Sequence, residues 1–144
     1  MTKDPESPSS PRRGAALFDL TDRVIVVTEG GRGIGRTYCQ ALAAAGARVV
    51  IADIAGDEAE RCAHDIEADG GQAIAAVTDI ADPEQTRAMA EAAIGAYGRI
   101  DALINNASLM STLERRPWHQ IPVDEWDRVM AVNLRGMFLC CLAV

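Results

Sequence analysis

The sequence predicts an α/β fold built on a doubly wound parallel sheet, and three features of its patterning carry that expectation. Short runs of β-branched and apolar residues recur without the polar alternation of a half-exposed strand, which is how strands buried on both faces read. Amphipathic segments with apolar residues at i, i+3, i+4 and i+7 separate those runs. Capping signals stand at the joints, so the order is βαβαβαβ, which implies parallel strands joined by right-handed crossovers. The chain has 144 residues, 49% hydrophobic but only 4% aromatic, enough for one domain with a core of small aliphatic side chains.

The elements follow in order. Residues 1–16 contain Pro5, Pro8 and Pro11 among serines and charges, and bury too little apolar surface to offset their ordering entropy; they are expected to be a disordered tail ahead of a domain over 17–144. The first strand is expected at 24–28, followed by a glycine-rich turn and a helix with the face Tyr38, Ala41, Leu42 and Ala45, closed by Gly46. A second strand at 48–52 precedes a helix with the face Ala59, Cys62, Ala63 and Ile66, closed by Gly70. A third strand at 73–77 leads to Asp82-Pro83-Glu84, an N-cap, a first-turn proline and an acid, which open a helix with the face Ala90, Ala93, Ile94 and Tyr97. The fourth strand is expected at 100–104, then a loop over 108–123 and a last helix from Asp124 to Val144.

Composition excludes several functions. A net charge of −7 is the wrong sign for a surface that collects nucleic acid or anionic lipid. Cys39, Cys62, Cys140 and Cys141 show no C-x-x-C spacing, and the adjacent pair falls on different sides of a helix, so neither a zinc site nor a disulfide framework is expected. His64, on the outer side of the second helix, and His119, beside Trp118 in the loop, have no partners at metal-ligand spacing, and no metal site is expected. No apolar run reaches membrane length and residues 1–13 lack the hydrophobic core of a leader, so the expected location is the cytoplasm.

The segment Thr28-Glu29-Gly30-Gly31-Arg32-Gly33-Ile34-Gly35 lies where the first strand hands over to the first helix. A glycine cluster alone is only a tight turn. Between a buried strand and a helix it is also the place where backbone N–H groups and the helix dipole meet a pyrophosphate. Asp53 stands twenty residues after Gly33, the separation at which a carboxylate meets the ribose of an adenine dinucleotide. A carboxylate there favours NAD and repels the 2′-phosphate of NADP; a helix cap or solvated loop acid is the competing reading. Arg32 and Arg36 keep NADP as the second choice.

These residues resemble the classical short-chain dehydrogenase/reductase family over residues 20–144. The family's Thr-Gly-x-x-x-Gly-x-Gly turn is similar to 28–35, and its acidic residue beside the adenine resembles Asp79, followed by Ile80. Its Asn-Asn-Ala-Gly element resembles Asn105-Asn106-Ala107-Ser108, after Asp101-Ala102-Leu103, and its helix-borne Asn-x-x-Gly resembles Asn133-Leu134-Arg135-Gly136. The resemblance implies a Rossmann-type doubly wound parallel sheet, truncated after the fourth strand and the following helix. It implies a cofactor site of Thr28, Gly30, Gly31, Arg32, Gly33, Ile34, Gly35, Asp53, Asp79, Ile80, Asn105, Asn106 and Ala107. Asn133 would be the family's catalytic asparagine, holding a water in a proton relay; by spacing it is an amide in an apolar stripe with Trp126, Val129 and Met130, where a structural hydrogen bond serves equally well.

Two positions depart from the pattern. Glu29 replaces the first glycine of the turn; if that position needs positive φ, a non-glycine residue costs on the order of 1 to 3 kcal/mol, and its carboxylate faces the neighbourhood of two phosphates, so weaker NAD binding is expected. Ser108 replaces the last glycine of the Asn-Asn-Ala-Gly element. The family's Tyr-x-x-x-Lys pair is missing as well, since the one lysine is Lys3 and neither Tyr38 nor Tyr97 has a lysine four residues on; the family's catalytic serine is also expected to lie outside these residues. The resemblance therefore implies an NAD-dependent oxidoreductase interconverting a secondary alcohol and a ketone in its complete form, with this chain inactive alone. A non-catalytic dinucleotide-binding module or regulatory partner is the alternative. The apolar stretch Met137, Phe138, Leu139 and Cys140 of the last helix would supply a homo-oligomer contact by the resemblance, with core packing an equal explanation, and the fourth strand, as an apolar edge, a route to aggregation.

Overall fold

The computed structural model of the protein describes residues 18–110 and 112–144. The expected tail, 1–16, and the first residue of the expected domain, 17, lie outside the described residues. The elements are β1 (Val24–Thr28), α1 (Gly33–Ala44), β2 (Arg48–Asp53), α2 (Gly56–Ala68), β3 (Gln72–Val77), α3 (Pro83–Tyr97) and β4 (Ala102–Ile104). A 3₁₀ turn (Trp118–Gln120) follows, then α4 (Val123–Met130), a π-helical turn (Ala131–Gly136) and α5 (Met137–Ala143). All strand pairs are parallel, in the order β3-β2-β1-β4, with Val26 opposite Val50 on one side and Leu103 on the other.

That order places the topological switch between β1 and β4, because the chain winds outward through β2 and β3 and then crosses back to the far side of β1. A crevice opens there beyond the carboxyl ends of the strands. The strands divide their side chains between two cores. Ile25, Val27, Val49 and Ile51 pack toward Cys39, Cys62 and Ile66 of α1 and α2. Val24, Val26, Val50 and Ala52 pack toward Met89, Ala93 and Cys140 of α3 and α5. Apolar residues at consecutive positions are thus the consequence of a sheet covered on both faces.

Helix α2 buries Ala59, Cys62, Ala63 and Ile66, the face read from its spacing. Asp82 caps α3 as expected, accepting the Glu84 N–H at 2.8 Å, ahead of Pro83 in the first turn. The other faces are rotated from expectation. Helix α1 buries Gly35, Cys39 and Ala43, and leaves Tyr38 exposed, because the close contact of Gly35 with the turn sets the inward row at i, i+4 and i+8. In an alanine-rich helix several phases satisfy the same spacing. Helix α3 buries Thr86, Met89, Ala90 and Ala93, with Ile94 exposed.

The fourth strand is shorter than expected. Below Ala102 the pairing passes to Asp101, whose backbone N–H donates to the Val24 carbonyl at 2.8 Å while its Oδ2 accepts the Val24 N–H at 2.9 Å. The last helix is three segments instead of one, and Trp126 is 55% exposed, so it is not part of a buried stripe with Asn133. Among the described residues no helix is long and apolar enough to cross a membrane.

Candidate functional site

The crevice has two hollows. One is lined by Asp53, Ile54, Thr78, Asp79, Ile80, Ala107, Leu109 and Val132, the other by Gly33, Ile34, Gly35 and Asn106; Glu29, Arg32 and Ser108 line both. Turn, strand ends and π-helical turn therefore converge on one place.

The turn is held to β2 by backbone and carboxylate. Gly30 N–H donates to the Ala52 carbonyl at 3.2 Å. Asp53, the last residue of β2 and only 2% exposed, accepts the Gly31 N–H at 3.0 Å through Oδ2 and the Ala55 N–H at 2.9 Å through Oδ1. Each oxygen of a carboxylate can accept more than one hydrogen bond, so both retain capacity toward the hollow that Asp53 lines. The competing readings of Asp53 thus describe compatible uses of one side chain.

Glycine is obligatory at Gly35: a Cβ there would meet the Glu29 carbonyl oxygen at 1.9 Å. That contact is what lets α1 begin directly against the turn. Arg32 precedes α1 in extended conformation and supplies no side-chain cap, so the first-turn N–H groups of Gly33, Ile34 and Gly35 have neither intrahelical nor capping partners. A Cβ on Gly33, at φ +54°, would meet nothing within 4 Å, so the N-terminus of the helix opens onto free space. Arg36, considered for a 2′-phosphate, forms an ion pair with Asp65 of α2 instead.

Thr28 and Asn106 join the ends of β1 and β4. Thr28 is fully buried; its hydroxyl oxygen accepts from the N–H groups of Asn106 and Ala107, both at 3.0 Å, and its hydroxyl donates to the Ile104 carbonyl at 3.3 Å. The Asn106 side-chain amide donates to the carbonyls of Thr28 at 3.0 Å and Glu29 at 3.3 Å. Asn105 donates to Cys141 Sγ of α5 at 3.3 Å and holds a buried Oδ1 without a partner. Asp79 folds back on itself, its Oδ1 accepting the Ala81 N–H at 2.9 Å, and Ile80 packs under Gly136.

Asn133 sits in the π-helical turn, an irregularity often found where a helix borders a site. Its Oδ1 accepts the Leu109 N–H at 2.6 Å and its Nδ2 donates to the Leu109 carbonyl at 3.2 Å. Both ends of the amide clamp one residue of the crevice wall. Sequence reasoning did not reach Leu109, Val132, Ile54 or Thr78; only Thr78 carried a signal, a threonine closing the third apolar run, and its N–H donates to the Asp53 carbonyl at 2.9 Å. Burial beside the Cys62 thiol pushes the Cys39 thiol, beneath the turn, up to about 12, so it stays protonated and unreactive near neutral pH.

The family model for short chain dehydrogenase matches residues 23–144. Fluoren-9-ol dehydrogenase of a Terrabacter species is 41% identical over 123 residues, covering 82% of this chain and 34% of that protein. A metagenomic short-chain oxidoreductase in complex with NADP superposes with a TM-score of 0.80 at 34% identity, covering 87% of this chain and 56% of the other. The 3-ketoacyl-(acyl-carrier-protein) reductase of Brucella melitensis, complexed with NADH, gives 0.79 at 33% identity, covering 85% and 48%. The chain spans about half the length or less of the curated relatives it matches, 34% for the Terrabacter enzyme and 51% for a Mycobacterium tuberculosis oxidoreductase.

Proposed function

This chain belongs to the short chain dehydrogenase family of oxidoreductases, and from that premise we propose that it is the part of such an enzyme that holds NAD, with NADP the weaker ligand. One observation carries the cofactor reading: Asp53, at the end of β2 and beside the glycine turn, lines the crevice at the switch point. Its carboxylate accepts hydrogen bonds from ribose hydroxyls and repels a 2′-phosphate. Neither nearby arginine offsets it, since Arg36 pairs with Asp65 and Arg32 faces Glu29.

The other residues take their places around it. Asp79 and Ile80 flank the adenine, the N–H groups of 33–35 and the Arg32 side chain face the pyrophosphate, and Asn105, Asn106 and Ala107 border the nicotinamide side. Thr28, Gly30 and Gly31 act from beneath, by holding turn to sheet. Asn133 is a positioning residue, which fixes Leu109 against the crevice. When bound, the dinucleotide supplies the hydride donor or acceptor for interconverting a secondary alcohol and a ketone, the substrate class proposed for the complete enzyme.

These 144 residues contain no Tyr-x-x-x-Lys pair, so binding without turnover is the expected behaviour of the chain alone. The same fact favours a second reading, a non-catalytic dinucleotide-binding partner. Exposed Leu134, Phe138 and Leu142 suit a homo-oligomer contact through the last helix, and the acidic charge suits a protein that does not collect nucleic acid or anionic lipid. Fluorescence titration with NADH and NADPH tests the cofactor assignment. NADH should bind about tenfold more tightly, and Asp53→Asn should erase the difference; equal affinities in the unmodified chain would refute the role of Asp53.

A further inference from the structure

The two departures of this chain from the pattern it resembles touch each other. Glu29, at φ +52°, reaches across the crevice so that Oε2 accepts the Ser108 N–H at 3.1 Å, while Oε1 lies 3.7 Å from Arg32 Nη2. Its side chain is 30% exposed, at the boundary between the Asp53 hollow and the Gly33–Gly35 hollow, and it lines both. A carboxylate on a backbone N–H beside a helix N-terminus stands where an anionic ligand group would otherwise sit. Arg32, the one lysine or arginine among the described residues that line the two hollows, faces that carboxylate.

We propose that Glu29 makes this crevice a nucleoside site more than a pyrophosphate site: it takes the uncharged adenosine half of the dinucleotide, and added phosphates weaken binding. This deepens the reading of the crevice as a dinucleotide site and rests on it. The physical cause is that the fixed negative charge is only partly exposed and so is incompletely screened by solvent and salt. It also neutralises the helix N-terminus and the arginine, the two groups that ordinarily attract phosphate. The adenosine end, on Asp53, Asp79 and Ile80, is left intact.

Calorimetry and saturation-transfer NMR on the full 144-residue chain, with adenosine, AMP and ADP as the probes, test this. Adenosine should bind at least as tightly as ADP in the unmodified protein. Glu29→Gln keeps the side chain's length and removes its charge; it should raise ADP affinity about tenfold and leave adenosine within about twofold. Glu29→Gly should do the same and also relieve the backbone, and if it misfolds, the glutamine variant decides. ADP binding more tightly than adenosine in the unmodified chain, or an ADP affinity unmoved by Glu29→Gln, overturns the proposal and leaves the dinucleotide reading standing. Adenosine failing to bind the unmodified chain and both variants overturns that reading too.

Discussion

The two sides of the sheet are made of similar residues and reach different burial. Val26, Val27, Val50 and Ile51 of β1 and β2 are fully buried, whereas in β4 Ala102 is exposed and Leu103 and Ile104 are half-buried. The strands of the first group have a hydrogen-bonded neighbour on each side and a helix layer on each face, while among the described residues β4 pairs with β1 alone. Burial in a parallel sheet is conferred by neighbours rather than by the strand's own side chains. The crevice lies on the boundary, with its Asp53 side built on the more buried half and its Asn106–Leu109 wall following the less buried strand. That wall depends on polar pins, Thr28 to Asn106 and Asn133 to Leu109, where the β1–β3 half depends on packing.

This contrast can be broken experimentally. The largest effect is expected from Gly35→Val, which drives side-chain atoms into the Glu29 carbonyl. It should cost at or beyond the upper end of the roughly 1–3 kcal/mol typical of overpacking and abolish nucleotide binding. A wild-type urea midpoint for this variant would show that α1 can move off the sheet. Asp53→Ala leaves the N–H groups of Gly31 and Ala55 without an acceptor and should cost about 1–3 kcal/mol, read by chemical denaturation.

Asn133→Ala should cost about 1 kcal/mol, and its effect should be local. Hydrogen exchange should quicken around 105–110 and stay unchanged in β1 and β2; acceleration throughout would mean that the two halves unfold as one. A smaller effect concerns acid. The Val24 N–H, with help from Arg99 and Arg23, holds the Asp101 carboxyl below the usual carboxylate range. Its contribution is therefore complete above the ordinary value of about 4 and is lost as pH falls through the lowered one. The urea midpoint of Asp101→Asn should show a flatter acid limb than that of the unmodified chain; parallel limbs would remove Asp101 from the account. The weakest expected effect is association along the free edge of β4, seen as a concentration-dependent shift in size-exclusion elution, and a single monomer peak at all concentrations would show that the edge is blocked.

How much was legible depended on how local the cause was. The first three strands, the α2 face and the Asp82 cap follow from spacing and turn chemistry within a few residues and match the structure to within a residue, whereas the fourth strand is cut short at its start by the Asp101 pairing. The glycine turn and Asp53 were legible as a pair because strand, turn and helix fix their separation. The phase of α1 was not, since an alanine-rich helix offers several equivalent faces and only the closeness of its first turn to Glu29 and Asn106, visible as the missing room at Gly35, selects one. Nor was the break at Ala131–Gly136 into a π-helical turn, although the asparagine in an apolar stretch hinted at it.

From its sequence alone this protein is committed to alternating strands and helices, to a glycine turn after the first strand and to an acid at the end of the second, because periodicity and backbone sterics act over short stretches of chain. Only the tertiary structure decides that Glu29 meets Ser108, seventy-nine residues away, and that Asn133 closes on Leu109. Such contacts depend on which strand becomes the neighbour of β1, a choice made by the packing of the whole sheet.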